Sequence, residues 1–114
     1  MAVYKQGDIV LAQFPFTDLV GSKLRPALII SCDKLNATGD YICMQITSKQ
    51  FNDDCFFEIK GTDVVTPLKL RSGIRLQKIF TIHSTIVQYK ISSVTSLVFS
   101  EIIETMNVKV IALI

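Results

Sequence analysis

A loop between two short apolar runs constrains this chain more than any other part of its sequence. The runs cover residues 9–13 and 25–32, and the segment between them, residues 14–24, contains Pro15, Gly21 and several polar side chains. Such residues interrupt regular structure for distinct backbone reasons. The sequence therefore predicts a strand, a long loop and a second strand, and a loop held between rigid strands is where chemistry usually lies.

Further β-rich segments follow, each bounded by residues that favour turns. We expect strands at residues 41–47, 55–59 and 74–82. We also expect an extended segment at 67–70 and a turn at 33–40 that could contain a short helical piece. In the segment 74–82, alternation predicts one mostly apolar face that includes Lys78 and one mostly polar face that includes Arg75 and Gln77.

The apolar period changes near Ser92 and Ser93, either of which could cap a helix. Apolar residues then recur at helical spacing, and the expected buried stripe contains Val94, Leu97, Val98, Ile102 and Met106. Residues 107–114 could continue the helix or form a last strand. The whole pattern predicts a mainly β fold with a C-terminal helix, built on a small, strongly bent antiparallel sheet.

The length of 114 residues predicts a single domain over residues 1–114. Apolar residues make up 49% of the chain and charged residues only 19%, so surplus apolar surface predicts an interface with a second copy. No run approaches the roughly 18 apolar residues needed to cross a bilayer, and the first residues lack a signal-peptide core. We therefore expect a cytoplasmic protein.

The cysteines and the single histidine do not predict a metal site. Cys32, Cys43 and Cys55 show no C-x-x-C spacing and lie in apolar contexts, which favours buried thiols. His83 has no suitably spaced partners, so no metal and no cofactor are assigned. The acidic side chains Asp53, Asp54, Glu101 and Glu104 are expected on solvated faces.

Three blocks of sequence, with their spacing, resemble the N-terminal signature of the PemK/MazF toxin family: residues 7–11 (GDIVL), 14–18 (FPFTD) and 23–31 (KLRPALIIS). Residues 42–47 and 76–82 resemble later blocks, so the resemblance covers about three quarters of the chain. It implies an SH3-like barrel of the CcdB/Kid/MazF type. It also implies a type II toxin that cleaves single-stranded RNA sequence-selectively, without metal, by attack of the RNA 2′-hydroxyl. The implied partners are a second copy and a cognate antitoxin whose flexible, partly acidic segment lies over the RNA groove.

Arg25 is the first candidate for chemistry, because a guanidinium offers five fixed donors that match phosphate geometry. From the residues alone, it could equally be a surface arginine or a partner of Asp18. The resemblance implies that Arg25 is catalytic, stabilises the phosphorane-like transition state and protonates the leaving oxygen. It implies that Thr47, or Ser48 as its nearest substitute, holds the scissile phosphate, although a threonine at a strand end can serve β structure alone.

A basic and aromatic surface around the loop is expected to bind RNA, since single strands are held by stacking and a basic track. The candidate RNA-binding residues are Phe16, Thr17, Lys23, Pro26, Ser48, Lys49, Gln77 and Lys78. Phe14 and Phe16 flank Pro15, so one of the two is expected to pack inward.

The chain departs from the family pattern in one block. Many members have a carboxylate where Gln77 lies and an arginine where Phe80 lies. Because Gln77 cannot accept the 2′-hydroxyl proton, the general base would have to be sought at Arg25, Lys78 or His83. The alternative hypothesis is a non-catalytic or CcdB-like binding protein on the same barrel, which poisons gyrase or binds only RNA or the antitoxin.

Overall fold

The computed structural model describes residues 3–14 and 23–112. Its strands are β1 (Asp8–Phe14), β2 (Lys23–Ile29), β3 (Asp40–Thr47), β4 (Phe56–Ile59), β5 (Ser72–His83) and β6 (Val87–Ser93). The helices are α1 (Asp33–Asn36) and α2 (Ser96–Met106), which continues into a π-helical turn at Asn107–Ile111; short 3₁₀ turns occupy Gly61–Asp63 and Ser84–Ile86. Within these residues the strands form one antiparallel sheet in the order β4-β5-β3-β2-β1-β6.

Both sides of the sheet carry buried apolar side chains. On the side that we call the helix face, Ile9, Leu28 and Met44 pack in one cluster with Ile102 of α2. On the opposite side, the second face, a separate cluster contains Ala12, Phe14, Ala27, Cys43 and Ile82. Successive residues of a strand point to opposite faces, so this division follows directly from the alternation in β1 and β2.

The two edges of the bent sheet approach each other through the segment that follows β4. Val64 forms an isolated bridge with Val94, and the backbone N–H of Val65 donates to the carbonyl oxygen of Ser93 at 2.8 Å. The Ser92 hydroxyl accepts from the Thr66 N–H and donates to the Thr66 carbonyl. These contacts give the sheet a barrel-like form, and the expectation of a mainly β fold with a C-terminal helix is confirmed.

The strands expected at residues 9–13, 25–32, 41–47, 55–59 and 74–82 are all present with small shifts of their ends. The short helical piece within 33–40 is present as α1, and residues 107–111 continue the C-terminal helix rather than forming a strand. The extended segment expected at 67–70 is wrong: these residues have no regular structure, and the strand begins only at Ser72.

The strand β6 and the true start of α2 were not predicted. Ser92 and Ser93 end β6, and the helix is capped instead by Thr95, whose hydroxyl accepts from the Val98 N–H at 3.4 Å. The expected helical stripe is wrong at two positions: Val94 precedes the helix and pairs with Val64, and Leu97 is 81% exposed, whereas Ile102 is fully buried.

A bulge in β5 changes the alternation expected for that strand. Met44 pairs with Ile79, but the next residue of β3, Gln45, pairs with Arg75. Residues 76–78 are therefore extra residues on the β5 side, and bulges of this kind re-aim side chains. As a result Lys78 is exposed, although alternation assigned it to the mostly apolar face, and Arg75 is buried, although alternation assigned it to the mostly polar face.

The three thiols lie in different environments. Cys43 is buried, and burial raises the pKa of its thiol to about 12. Cys55 is partly buried, whereas Cys32 is exposed, so the expectation of a buried thiol is wrong for Cys32. In the part of the chain that the structure describes, no three potential metal ligands converge, and no helix has the length and apolarity to span a membrane.

Candidate functional site

Arg25 and Thr47 lie at the same end of neighbouring strands. Arg25 pairs with Ala12 across β1 and β2, and the paired register of β2 with β3 ends at Ala27 and Gln45. Continued by two residues, that register sets Arg25 opposite Thr47. Because side chains repeat every two residues, both belong to the second face, on which Ala27 lies.

The Arg25 guanidinium has a donor without an acceptor. Its side chain is partly buried, and the Nε–H group is buried with no hydrogen-bond partner among residues 3–14 and 23–112. Leaving a buried donor unsatisfied costs about 1–3 kcal/mol, and more for a charged group. Such exceptions in a folded protein call for an explanation. The side chain as a whole is only partly buried, and a guanidinium has five N–H donors, so Arg25 can also meet an oxyanion at the end of β2.

The Thr47 hydroxyl ends β3 in a local turn. Its Oγ accepts a hydrogen bond from the Lys49 backbone N–H at 3.1 Å, a short turn that serine and threonine commonly form. A hydroxyl has one donor as well as its acceptor lone pairs, so the Thr47 O–H can still donate to a ligand. The side chain is partly buried, and its backbone pairs with Gly73 of β5.

A second arginine at this end of the sheet was missed by the sequence analysis. Arg75 pairs with Gln45, and its Nη1 lies 3.0 Å from each carboxylate oxygen of Asp53. The guanidinium carbon lies 3.9 Å from the ring centroid of Phe51, and the Lys49 ammonium nitrogen lies 5.2 Å from the same centroid. Asp53 is exposed, as expected, but it also pairs with Arg75, 22 residues away in the sequence, and this pairing was not predicted.

The other predicted RNA-binding residues fall into three groups. Those that are exposed at or next to this end of the sheet are Lys23 at the start of β2, Ser48 and Lys49 after β3, and Gln77 and Lys78 in the β5 bulge. Pro26 lies apart from them, on the helix face, where it lines an apolar groove of about 440 Å³ with Leu11 and Tyr89. Phe16 and Thr17 lie outside the described residues.

His83 is remote from Arg25 and Thr47. It pairs with Asp40 at the beginning of β3, whereas Thr47 is the last residue of that strand. Asp40 and Thr47 are seven positions apart in β3, which corresponds to about 23 Å along an extended strand. The His83 Nδ1 also lies 3.1 Å from the Thr85 hydroxyl, in a local turn. This position removes His83 from the candidates for the general base.

Phe80 supports the sheet and does not contribute a charge to the site. Its ring packs edge-on against the buried Phe14, with ring centroids 5.0 Å apart. Of the two phenylalanines that flank Pro15, Phe14 therefore packs inward, as expected. At the position where the family resemblance implies an arginine, this chain has apolar packing on the second face.

Comparison with known proteins gives a family and a fold. The family model of the PemK-like, MazF-like toxin of type II toxin–antitoxin systems matches residues 5–109. No curated protein matches the sequence significantly. Among solved structures, an endoribonuclease from a Mycobacterial species in complex with its cognate antitoxin is similar at a TM-score of 0.77 and 16% identity, covering 98% of each chain.

Two further solved structures are also similar in fold to this chain. MazE-MazF from Deinococcus radiodurans has a TM-score of 0.74 and 18% identity, over 92% of this chain and 94% of that one. Mycobacterium tuberculosis toxin MazF-mt6 has a TM-score of 0.70 and 16% identity, over 88% and 92%. At these identities the structures establish the shared fold, and the family model covers nearly the whole sequence. The chain belongs to the family of PemK-like, MazF-like toxins of type II toxin–antitoxin systems.

Proposed function

We propose that this toxin is an endoribonuclease that cleaves single-stranded RNA at a short recognition sequence, with the RNA 2′-hydroxyl as the nucleophile and without metal. The observation that carries the proposal is the Arg25 Nε–H, which is buried without an acceptor among the described residues, at the strand end that Thr47 shares. The family membership supports it, as do structural neighbours that are themselves endoribonucleases.

The proposed division of labour follows from the donors present. Arg25 places fixed N–H donors and a positive charge against the oxygens of the phosphorane-like transition state, where charge accumulates. The Thr47 O–H donates to the same phosphate. Arg25 also supplies the proton for the leaving 5′-oxygen, and the products are a 2′,3′-cyclic phosphate and a 5′-hydroxyl.

The proposed site has no proton acceptor at the usual position of the general base. Gln77 holds the position of the usual carboxylate and cannot accept a proton, and His83 is about 23 Å away along the strand. Because Arg25 is assigned as the acid, Lys78 is the remaining side chain considered for this role, and it is exposed in the bulge beside Gln45. A missing positioned base typically costs about 10²- to 10⁴-fold in rate. We therefore propose a slow nuclease.

We also propose that the toxin acts as a homodimer in the cytoplasm and is neutralised by a cognate antitoxin. Relatives of the same fold form a complex with a cognate antitoxin in one case and a MazE-MazF complex in another. Leu24, Leu70 and Tyr89 are large apolar side chains at the surface of this protomer, which is consistent with further interfaces.

Digestion of a long, mostly single-stranded RNA in the presence of EDTA tests the function. We expect cuts at one short recurrent sequence, with 5′-hydroxyl ends that accept phosphate from a kinase. Intact RNA at high enzyme excess would instead support the binding protein. Gln77 and the apolar packing of Phe80 favour that alternative. If the target is gyrase, mutations in gyrase should relieve the toxicity.

Thr47→Val should lower kcat by about 10²-fold, because removal of one donor from an oxyanion site costs about 10²- to 10³-fold. Thr47→Ser should stay within about tenfold of the wild type, since the hydroxyl remains. Single-turnover cleavage of an oligonucleotide that contains the mapped site measures both. His83→Ala is the matched control and should leave the rate unchanged. Equal rates for Thr47→Val and wild type would exclude the hydroxyl from the reaction.

A further inference from the structure

The Arg75 side chain is almost fully buried, although the carboxylate with which it pairs is about half exposed. Its side chain is only 9% exposed, whereas its partner Asp53 is 47% exposed. Taking a guanidinium out of water is expensive, and replacing a buried ion pair by apolar residues is often neutral or stabilising. The ion pair therefore does not by itself explain why an arginine occupies this position in β5.

The hydrogen bonds of Arg75 use only part of its donors. Nη1 donates to both oxygens of Asp53, but Nε and Nη2 have no acceptor among the residues that the structure describes. A guanidinium has five N–H donors in one plane, and the unused edge matches two oxygens of a phosphate. The centroid of the Phe51 ring lies 3.9 Å from the guanidinium carbon, so the ring packs against the guanidinium and restrains it.

The position of Arg75 relates it to the proposed cleavage site. It pairs with Gln45, and Gln45 and Thr47 are two residues apart on the same face of β3, about 7 Å along the strand. Lys49, which follows Thr47, approaches the same Phe51 ring. Arg25, Lys49 and Arg75 thus concentrate positive charge at this end of the sheet. Asp53 offsets part of this charge through its pair with Arg75. The neighbouring Asp54 is paired elsewhere, with its Oδ2 3.9 Å from Nζ of Lys109.

We propose that Arg75 binds a backbone phosphate of the RNA next to the scissile phosphate, through Nε and Nη2, while Asp53 and Phe51 hold its guanidinium in place. The inference rests on the proposed endoribonuclease function and adds a second arginine to the site. Arg75 positions the substrate and takes no part in bond cleavage, so its loss should act mainly on RNA affinity and KM, with a smaller effect on kcat.

Binding of an uncleavable oligonucleotide, with a 2′-deoxy sugar at the mapped cleavage site, tests this role by fluorescence anisotropy at several salt concentrations. Arg75→Gln should raise Kd about tenfold and reduce the slope of log Kd against log salt by about 0.7, the value for one phosphate contact on a single strand. The control Arg71→Gln removes an exposed arginine paired with Glu58 and should change neither value.

Asp53→Asn separates substrate binding from a structural role. If Arg75 contacts phosphate, Asp53→Asn retains the wild-type salt slope, because the guanidinium charge is still present. If Arg75 only anchors the segment around Phe51, Arg75→Gln and Asp53→Asn should weaken binding equally and leave the slope unchanged. That result would overturn the proposal.

Loss of the fold in Arg75→Gln would not prevent the test. Arg75→Lys retains the charge and should retain the salt slope while it weakens binding, because a lysine cannot supply the fork. In the wild-type protein, the Nε–H resonance of Arg75 should shift in NMR spectra when the oligonucleotide is added. An unchanged resonance contradicts the proposal.

If the wild type neither binds nor cleaves RNA, the proposed function itself fails. Cleavage without any dependence on Arg75 removes this inference alone.

Discussion

Replacement of Arg25 by alanine should lower the rate of RNA cleavage by about 10³-fold, because arginines and single donors that stabilise transition-state charge are worth 10²- to 10⁵-fold. The sheet should remain folded. Arg25 is only partly buried, and its buried Nε–H has no acceptor among the described residues, so its removal also removes an unsatisfied donor. Single-turnover cleavage and a thermal melt of the same sample measure the two effects.

Two variants make this result specific. Arg71→Ala removes an exposed arginine that pairs with Glu58, and it should cleave RNA at the wild-type rate. Arg25→Lys retains the positive charge but replaces a planar fork by a single ammonium group, so it should lie between wild type and alanine. Full toxicity of Arg25→Ala in cells would refute the nuclease assignment and favour a protein target such as gyrase.

Local sequence patterns were sufficient for five of the six strands. The apolar runs of β1 and β2 alternate between two buried faces, and Asn, Asp, Gly and Ser residues mark the turns around β3 and β4. The strand β6 has a weaker pattern, because Gln88, Tyr89 and Lys90 in its centre are all exposed. It forms at the edge of the sheet through its pairing with β1, and such a tertiary contact leaves little trace in local composition.

The bulge in β5 explains the largest error in the site. Alternation assigned Arg75 and Gln77 to one mostly polar face, but three extra residues between two paired segments end that alternation. The partner of Arg75 is Asp53, in a turn on the other side of β4, and neither residue is unusual in its own segment. Arg25 and Thr47 could be proposed because the family resemblance marks both positions. Arg75 requires the three-dimensional pairing.

The helix α2 offers the largest expected effect on stability. Ile102 is fully buried, and it joins the helix to Ile9, Leu28 and Met44 in the core of the helix face. Ile102→Ala should lower the free energy of unfolding by about 2–5 kcal/mol, since the sheet beneath cannot close the cavity completely. Equilibrium denaturation at one fixed protein concentration measures this loss as a lower midpoint with an unchanged slope.

Leu97→Ala is the matched control, because sequence periodicity places Leu97 and Ile102 on the same buried stripe whereas the structure separates them. Leu97 is 81% exposed in the first turn of α2, so its truncation should change the free energy of unfolding by no more than about 0.5 kcal/mol. A loss as large as that of Ile102→Ala would mean that α2 packs with a different face toward the sheet. A small loss for Leu97→Ala beside a large one for Ile102→Ala would confirm that α2 packs on the sheet with the face that carries Ile102, while Leu97 in its first turn stays at the surface.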